Sequence, residues 1–312
     1  TSTASGKTMI YALNFANEYY TADSENKPTG LLIYPTKALA QDQYNELSEL
    51  YQETLGLDIS IGVYDGDTTK EEKQSIREDS DLILTNFQGL NYYLPYHSSW
   101  EEFFSSLSCV VIDEAHLYTG LMGIHVAMII RRLRRIVENV YTSHPQFILT
   151  TATINNPYQH TQKLIGRDSI SVVDSDTSPH GEKEYVLWNP KLQNPDTGYR
   201  TPSFVDASKI FAELIEDGKQ VLLFTRSRLQ TESTLRKLTK EKPELEGRID
   251  SYHSGHSKPE RRQTESQLKE GELAGVISTN GLEVGIDVGS LDAVVIDTYP
   301  EPRASVWQQF GR

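Results

Sequence analysis

Short apolar runs alternate with stretches of helical spacing along the chain. LLIYP (31–35), ISIGV (59–63), LILT (82–85), CVVID (109–113) and FILTT (147–151) have the length and composition of buried strands. Apolar residues recur every three or four positions from Thr8 to about Tyr20, from Lys37 to about Glu53 and from Gly120 to about Val140, which predicts helices there. The polar stretch DSDTSPHGEK (174–183) breaks the rhythm and reads as a linker. Beyond it VLLFT (221–225), RIDSY (248–252), AGVIST (274–279) and AVVID (293–297) resume the strand pattern, with helical stretches at 204–218 and 229–241. Strands alternating with helices predict mainly parallel sheets covered on both faces. We therefore expect two α/β domains, 1–177 and 178–312. No repeat with a fixed period of 20–50 residues is visible.

Composition adds class rather than fold. Of 312 residues, 37% are hydrophobic and 24% charged, as in soluble globular proteins. No apolar run has the length of a membrane span, and no secretory signal is visible at the amino end. One cysteine, Cys109, rules out an intrachain disulfide and suits a reduced compartment. We expect a cytoplasmic protein, nucleoid-associated in a bacterium. Cys109 lies in the apolar run SCVVID and reads as a small buried hydrophobe. His253 and His256 lie close together in YHSGH without an evident co-ligand for a metal. A net charge of −14 argues against nucleic acid as a partner, although a groove can be locally basic.

Candidate chemistry begins at the amino end. In TSTASGKT, Gly6, Lys7 and Thr8 stand where a phosphate loop places its close-approach glycine, its phosphate-reaching lysine and its magnesium-binding hydroxyl. The strict pattern asks for glycine where this chain has Thr1, so the residues alone leave a plain capped helix start open. Such a loop follows a strand, and we expect the natural protein to extend upstream. VVIDEAH (110–116) is an apolar run ending in two acids. Asp113 would emerge at the carboxyl end of a strand, where open α/β sheets place ligands. There it can hold magnesium, and Glu114 can polarise an attacking water. A strand that simply ends in polar residues is the plainer alternative.

Eight stretches in fixed order, TASGKT, YPTKALAQDQ, LILTNFQGL, VIDEAH, TTAT, LLFTRSR, STNGLEVGID and WQQFGR, resemble motifs I to VI of the superfamily 2 helicases of DEAD/DEAH-box type. DEAHLYTGLMGIHVAMIIRRLRR, HGEKEYVLWNP and EVGIDVGSLDAVVIDTYPEPRASVWQQFGR are similar to the branch of mitomycin repair factor A and yeast RecQ4-like helicases. The resemblance implies two tandem RecA-like domains and an ATP-dependent DNA helicase moving 3′ to 5′. The same motifs are shared by RNA helicases, by translocases that do not unwind and by inactive binding modules, which stay open as alternatives. The resemblance further implies ATP and Mg2+ as cofactors, single-stranded DNA or a duplex with a 3′ overhang as partner, a role in DNA repair, and no membrane.

The same resemblance assigns roles. Thr3, Ala4, Ser5, Gly6, Lys7 and Thr8 would bind ATP phosphates, with Thr8 and Asp113 on the metal and Glu114 on the water. Gly285 and Asp287 would approach the nucleotide from the second domain, with Gln308 and the guanidinium of Arg312 serving the transferring phosphoryl group. Thr36, Lys37, Thr85, Asn86, Arg226 and Thr279 would hold phosphate and sugar, and His116, Thr151 and Thr153 would couple nucleotide state to the domain interface. Family motif VI carries a second arginine beyond Arg312, so we expect this chain alone to hydrolyse ATP weakly. RRLRR (131–135) flanks the apolar stripe Val126, Ile129, Ile130, Leu133 and Val137. Arginine stems covering a core edge are the plainer reading of that run, beside a nucleic-acid contact.

Overall fold

In the computed structural model, residues 6–24, 26–151, 154–175, 181–282, 291–300 and 303–311 are described. The chain divides into two compact units, Thr1–Ser178 and Pro179–Arg312. The first is built from α1 (Lys7–Thr21), β1 (Thr29–Ile33), α2 (Lys37–Ser48), β2 (Ile61–Val63), α3 (Lys70–Asp79), β3 (Leu82–Thr85), α4 (Phe87–Tyr93), α5 (Glu101–Ser105), β4 (Leu107–Ile112), α6 (Gly120–Asn139), β5 (Gln146–Leu149) and α7 (Pro157–Ile165). The second contains β6 (Leu192–Asn194), β7 (Tyr199–Arg200), α8 (Ser203–Glu216), β8 (Val221–Phe224), α9 (Arg228–Glu241), β9 (Ile249–Tyr252), α10 (Lys258–Lys269), β10 (Gly275–Ser278), β11 (Ala293–Ile296) and α11 (Arg303–Phe310).

The five described strands of the first unit are all parallel, in the order β2-β3-β1-β4-β5. Successive residues point to opposite faces, and both faces are buried. Leu31, Ile33, Ile83, Val110 and Ile112 pack with α4, α5, α6 and α7 on one side. Leu32, Leu82, Leu84, Cys109 and Val111 pack with α1 and α2 on the other. This explains why the strands read as continuous apolar runs rather than alternating ones. Gly30 in β1 is required by the fit: a Cβ there would lie 2.5 Å from Leu82 Cδ2 and 3.1 Å from both Cys109 Sγ and Phe15 Cε2. Burial, then the charge of Glu18, pushes the Cys109 thiol up to about 12, so it stays a neutral core group.

The second unit has a parallel sheet in the order β11-β8-β10-β9. Val221, Leu223, Ile249 and Ile277 face a core shared with α8 and α9, and Leu222, Phe224, Tyr252 and Val276 face the opposite core. The antiparallel hairpin β6–β7 lies in a polar stretch without apolar alternation, so the hydrophobic pattern does not announce it. The expected helix from Lys37 to about Glu53 is α2 followed by a π-helical turn, Glu49–Thr54. Among the described residues no helix is long and apolar enough to cross a membrane.

Candidate nucleotide and nucleic-acid site

The carboxyl ends of β1, β3, β4 and β5 are stitched side by side. Tyr34 N donates to Thr85 O, Asp113 N to Ile33 O and Thr150 N to Ile112 O, at 2.9, 2.9 and 3.1 Å. The turn after β4 is then pinned from two sides. Ala115 N donates to Thr150 O at 2.9 Å, and His160 Nε2 of α7 lies 2.8 Å from Ala115 O. Glu114 occupies the left-handed region at φ 49°, which a residue with a Cβ adopts only where its surroundings hold it.

Within this turn Asp113 Oδ1 accepts from the Thr150 hydroxyl and, at 2.9 Å, from the Glu114 amide. Burial, then the adjacent Glu114 carboxylate, pushes the Asp113 pKa up to about 6, against those two hydrogen bonds and the positive charge of Lys7. His116 Nδ1 lies 3.3 Å from Glu114 Oε2, and both side chains are buried. Gly6, at φ 72°, caps α1 and sends the chain into the helix that carries Lys7 and Thr8. Lys7, beside Thr8 at the start of α1, thus lies close enough for its charge to act on Asp113; Glu114 and His116 follow in the same turn, and the half-buried Thr151 stands two residues beyond β5.

The same edge carries the residues expected to meet nucleic acid. Thr36 caps α2 by accepting from Leu39 N at 3.2 Å, and Asn86 caps α4 by accepting from Gly89 N at 2.9 Å. Two helix N-termini therefore open at this end of the sheet, a favourable setting for phosphate. Lys37 Nζ sits 2.7 Å from Asp67 Oδ1 on the surface, an ion pair weak enough for a phosphate to displace. Thr85 is buried, and its hydroxyl donates to Tyr64 O at 2.7 Å. In the second unit Arg226 and Thr279 follow the adjacent strands β8 and β10, again at carboxyl ends. Arg226 Nε donates to Thr298 Oγ1 at 2.5 Å, and Thr298 holds a positive φ of 76°. Gln308 is buried in α11. Thr3, Ala4, Ser5, Thr153, Gly285, Asp287 and Arg312 lie outside the described residues.

Several residues of this region have no role assigned by the chain alone, although Thr150 and Gln43 lie within the stretches TTAT and YPTKALAQDQ. Thr150, the first residue of TTAT, holds Asp113, and His160 holds the acidic turn. Gln43 Oε1 accepts from the Thr8 hydroxyl and from the Tyr11 hydroxyl, both at 3.1 Å. Arg134 of the RRLRR run is engaged structurally: it pairs with Glu138 at 3.0 Å and donates to Ile165 O and Gly166 O, both at 2.9 Å. His253 and His256 do have a carboxylate beside them, contrary to the reading of the chain. Glu232 Oε1 lies 3.0 Å from His253 Nε2 and 3.4 Å from His256 Nε2. Gly255 N donates to His253 Nδ1 at 3.1 Å, so hydrogen bonding assigns the ring proton to Nε2, facing Glu232. That proton stands where a metal would bind, and the trio is a hydrogen-bonded brace.

The fold is that of tandem RecA-like domains, with an acidic turn after the fourth strand of the first. The chain belongs to the DEAD/DEAH-box helicase family: the family profile "DEAD/DEAH box helicase" matches residues 1–161, and "Helicase conserved C-terminal domain" matches residues 206–312. It is 39% identical over 323 residues to the ATP-dependent helicase hrq1 of Schizosaccharomyces pombe, covering 100% of this chain and 30% of that protein. It is 40% identical over 316 residues to the ATP-dependent helicase YprA of Bacillus subtilis, covering 100% of this chain and 41% of that protein. The structure of the DUF1998 helicase MrfA bound to DNA and AMPPNP superposes with a TM-score of 0.89 at 38% identity, covering 100% of this chain and 43% of that one. The chain thus spans under half the length of these relatives.

Proposed function

We propose that this chain is the motor core of an ATP-dependent DNA helicase that moves 3′ to 5′ along single-stranded DNA in DNA repair. The observation that carries the reading is that Lys7, at the start of α1 beside Thr8, lies close enough for its charge to act on Asp113, next to Glu114 at the end of a parallel sheet whose neighbouring strands lead into Thr36, Lys37 and Asn86. Nucleotide chemistry and strand contacts then share one rigid edge, which is what coupling hydrolysis to movement requires. Hrq1 and YprA are ATP-dependent helicases and MrfA holds DNA together with AMPPNP, which supports ATP and DNA as the ligands.

In this reading Lys7 binds the terminal phosphates of ATP and Glu114 accepts a proton from the attacking water. Thr8 and Asp113 offer hard oxygen donors, and the buried Asp113 carboxyl, whose proton affinity is raised by burial and by the adjacent Glu114, suits a dication. Magnesium bound there would supply charge neutralisation to the phosphates. Thr36, Lys37, Asn86, Arg226 and Thr279 contact sugar and phosphate without reading sequence, and the buried Thr85 supports that edge from beneath. His116, Thr151 and Thr153 transmit nucleotide state, while Gly285, Asp287, Gln308 and Arg312 act from the second unit. The domain limits at 1–177 and 178–312 remain part of the proposal, as does an intracellular site of action.

The test uses the full-length protein. ATP turnover is measured with single-stranded DNA and with RNA of matched sequence, and strand displacement with 3′ and 5′ overhangs. Stimulation by DNA, loss of that stimulation in Lys7→Ala and a preference for the 3′ overhang are expected. Unchanged turnover in Lys7→Ala would sink the assignment, stimulation by RNA alone would make it an RNA helicase, and a 5′ preference would reverse the polarity.

A further inference from the structure

Behind the nucleotide site a buried amide links α1 to α2. Thr8 Oγ1 donates to Gln43 Oε1 at 3.1 Å, and the Tyr11 hydroxyl donates to the same oxygen at 3.1 Å. Tyr11 and Tyr34 share a hydrogen bond of 3.1 Å, and both rings are buried. Gln43 Nε2 donates to Glu46 Oε2 at 2.6 Å. An ionised carboxylate only accepts, so Glu46 fixes which end of the amide faces it: nitrogen toward Glu46, oxygen toward Thr8.

A hydroxyl has one hydrogen and two lone pairs. Once the Thr8 hydrogen is committed to Gln43, the lone pairs point away from Gln43, and a metal needs a lone pair. We propose that Gln43 is a positioning residue for the cation: it takes the Thr8 hydrogen so that the Thr8 oxygen presents its lone pairs to magnesium beside Asp113. Helix α2, whose first turn carries Lys37 and is capped by Thr36, is thereby part of the metal-binding apparatus as well as of the strand-binding edge. The inference rests on the nucleotide reading given above. It differs from a purely structural role, in which the amide only satisfies buried hydroxyls, because it makes Gln43 matter to the metal-dependent part of binding alone. Outer partners of metal ligands change metal affinity by about ten- to a hundredfold when removed.

The experiment measures binding of a fluorescent non-hydrolysable ATP analogue to the full-length protein by anisotropy, with Mg2+ titrated and separately in EDTA. Gln43→Met removes the acceptor at similar length. It is expected to raise the Mg2+ concentration for half-maximal binding at least about tenfold, with affinity in EDTA unchanged within about twofold. The double variant Gln43→Glu with Glu46→Gln exchanges donor and acceptor between the two side chains while keeping an oxygen on Thr8, and it restores the wild-type magnesium dependence. Equal losses with and without magnesium, or failure of the double variant to restore, would reduce Gln43 to a packing role. Tighter magnesium binding in Gln43→Met would show that Gln43 competes with the metal for Thr8, which also overturns the proposal. If wild-type binding is insensitive to both Mg2+ and Thr8→Val, the nucleotide reading itself falls, and this inference with it.

Discussion

Replacing Asp113 by asparagine should stabilise the first unit while abolishing hydrolysis. Burial, and then the charge of Glu114, raises the Asp113 carboxyl from its ordinary 3.8 to about 6. The folded state therefore holds the proton more tightly than the unfolded chain does. The contribution favours folding below pH 3.8 and is lost as pH rises through about 6. At pH 8, where the carboxyl is ionised in both states, a rise of that size corresponds to about 3 kcal/mol of destabilisation. Asparagine retains an oxygen for the Thr150 hydroxyl and the Glu114 amide, so Asp113→Asn removes the ionisation cost without orphaning those donors. We expect a gain of about 2 kcal/mol at pH 8, shrinking to a few tenths near pH 4. The assay is urea unfolding in EDTA followed by tryptophan fluorescence. Trp100 is buried in the core of the first unit, whereas Trp188 and Trp307 are exposed, so the change in emission reports mainly that unit. Equal or lower stability of the variant at pH 8, or a gain of the same size at pH 4, would refute the argument.

Two further outcomes follow from the packing. Gly30→Ala places a methyl group 2.5 Å from Leu82 Cδ2 inside a filled core, and should lower stability by about 1–3 kcal/mol in the same urea assay. Burial pulls the Glu138 carboxyl upward, but hydrogen bonds and charge from Arg134 and Arg167, at 3.0 and 2.7 Å, hold it below the ordinary glutamate value of 4.5. That contribution is fully present above pH 4.5 and is lost as pH falls through the lowered value. Glu138→Gln should therefore destabilise the protein at pH 7 by no more than about 1 kcal/mol, with the difference gone near pH 3 in a thermal-melt series.

What could be read from the chain depended on whether the signal was local. LILT at 82–85 coincides with β3, and the stripe on α6 buries Val126, Ile130, Leu133 and Val137 with Ile129 half-covered. Those elements bury apolar residues at the spacing of their own secondary structure. Helices α3 and α10 are nearly all polar, and no apolar period announces them. Their capping boxes, Thr69 with Glu72 and Ser257 with Glu260, were visible as Thr or Ser three residues before Glu, and would have marked both starts. The acids of the candidate site were legible because a strand delivers them in one short stretch. Gln43 lies within YPTKALAQDQ, but its contact was not legible, because its partner Thr8 lies 35 residues away and the two meet only once α1 and α2 cover the same face of the sheet. Glu232 escaped for the same reason, 21 residues upstream of His253.

The local departures from comfortable chemistry gather in the acidic turn. Glu114 holds a left-handed backbone, Asp113 ionises against burial, and a histidine and a carboxylate are buried beside one another. Each alone disfavours folding, and the surrounding sheet has to supply the difference. It does so through rigid neighbours: parallel strands buried on both faces, the Ala115 amide and carbonyl tied to Thr150 and His160, and the Thr150 hydroxyl on Asp113. A turn that served only to end a strand would gain nothing from this arrangement, since an uncharged side chain at 113 would avoid the ionisation cost and a glycine at 114 would avoid the backbone strain. The destabilisation makes sense if something bound there returns it. A cation on Asp113 would remove the cost of ionisation that the protein alone bears, so the same geometry that weakens the first unit would strengthen its hold on a metal–nucleotide complex.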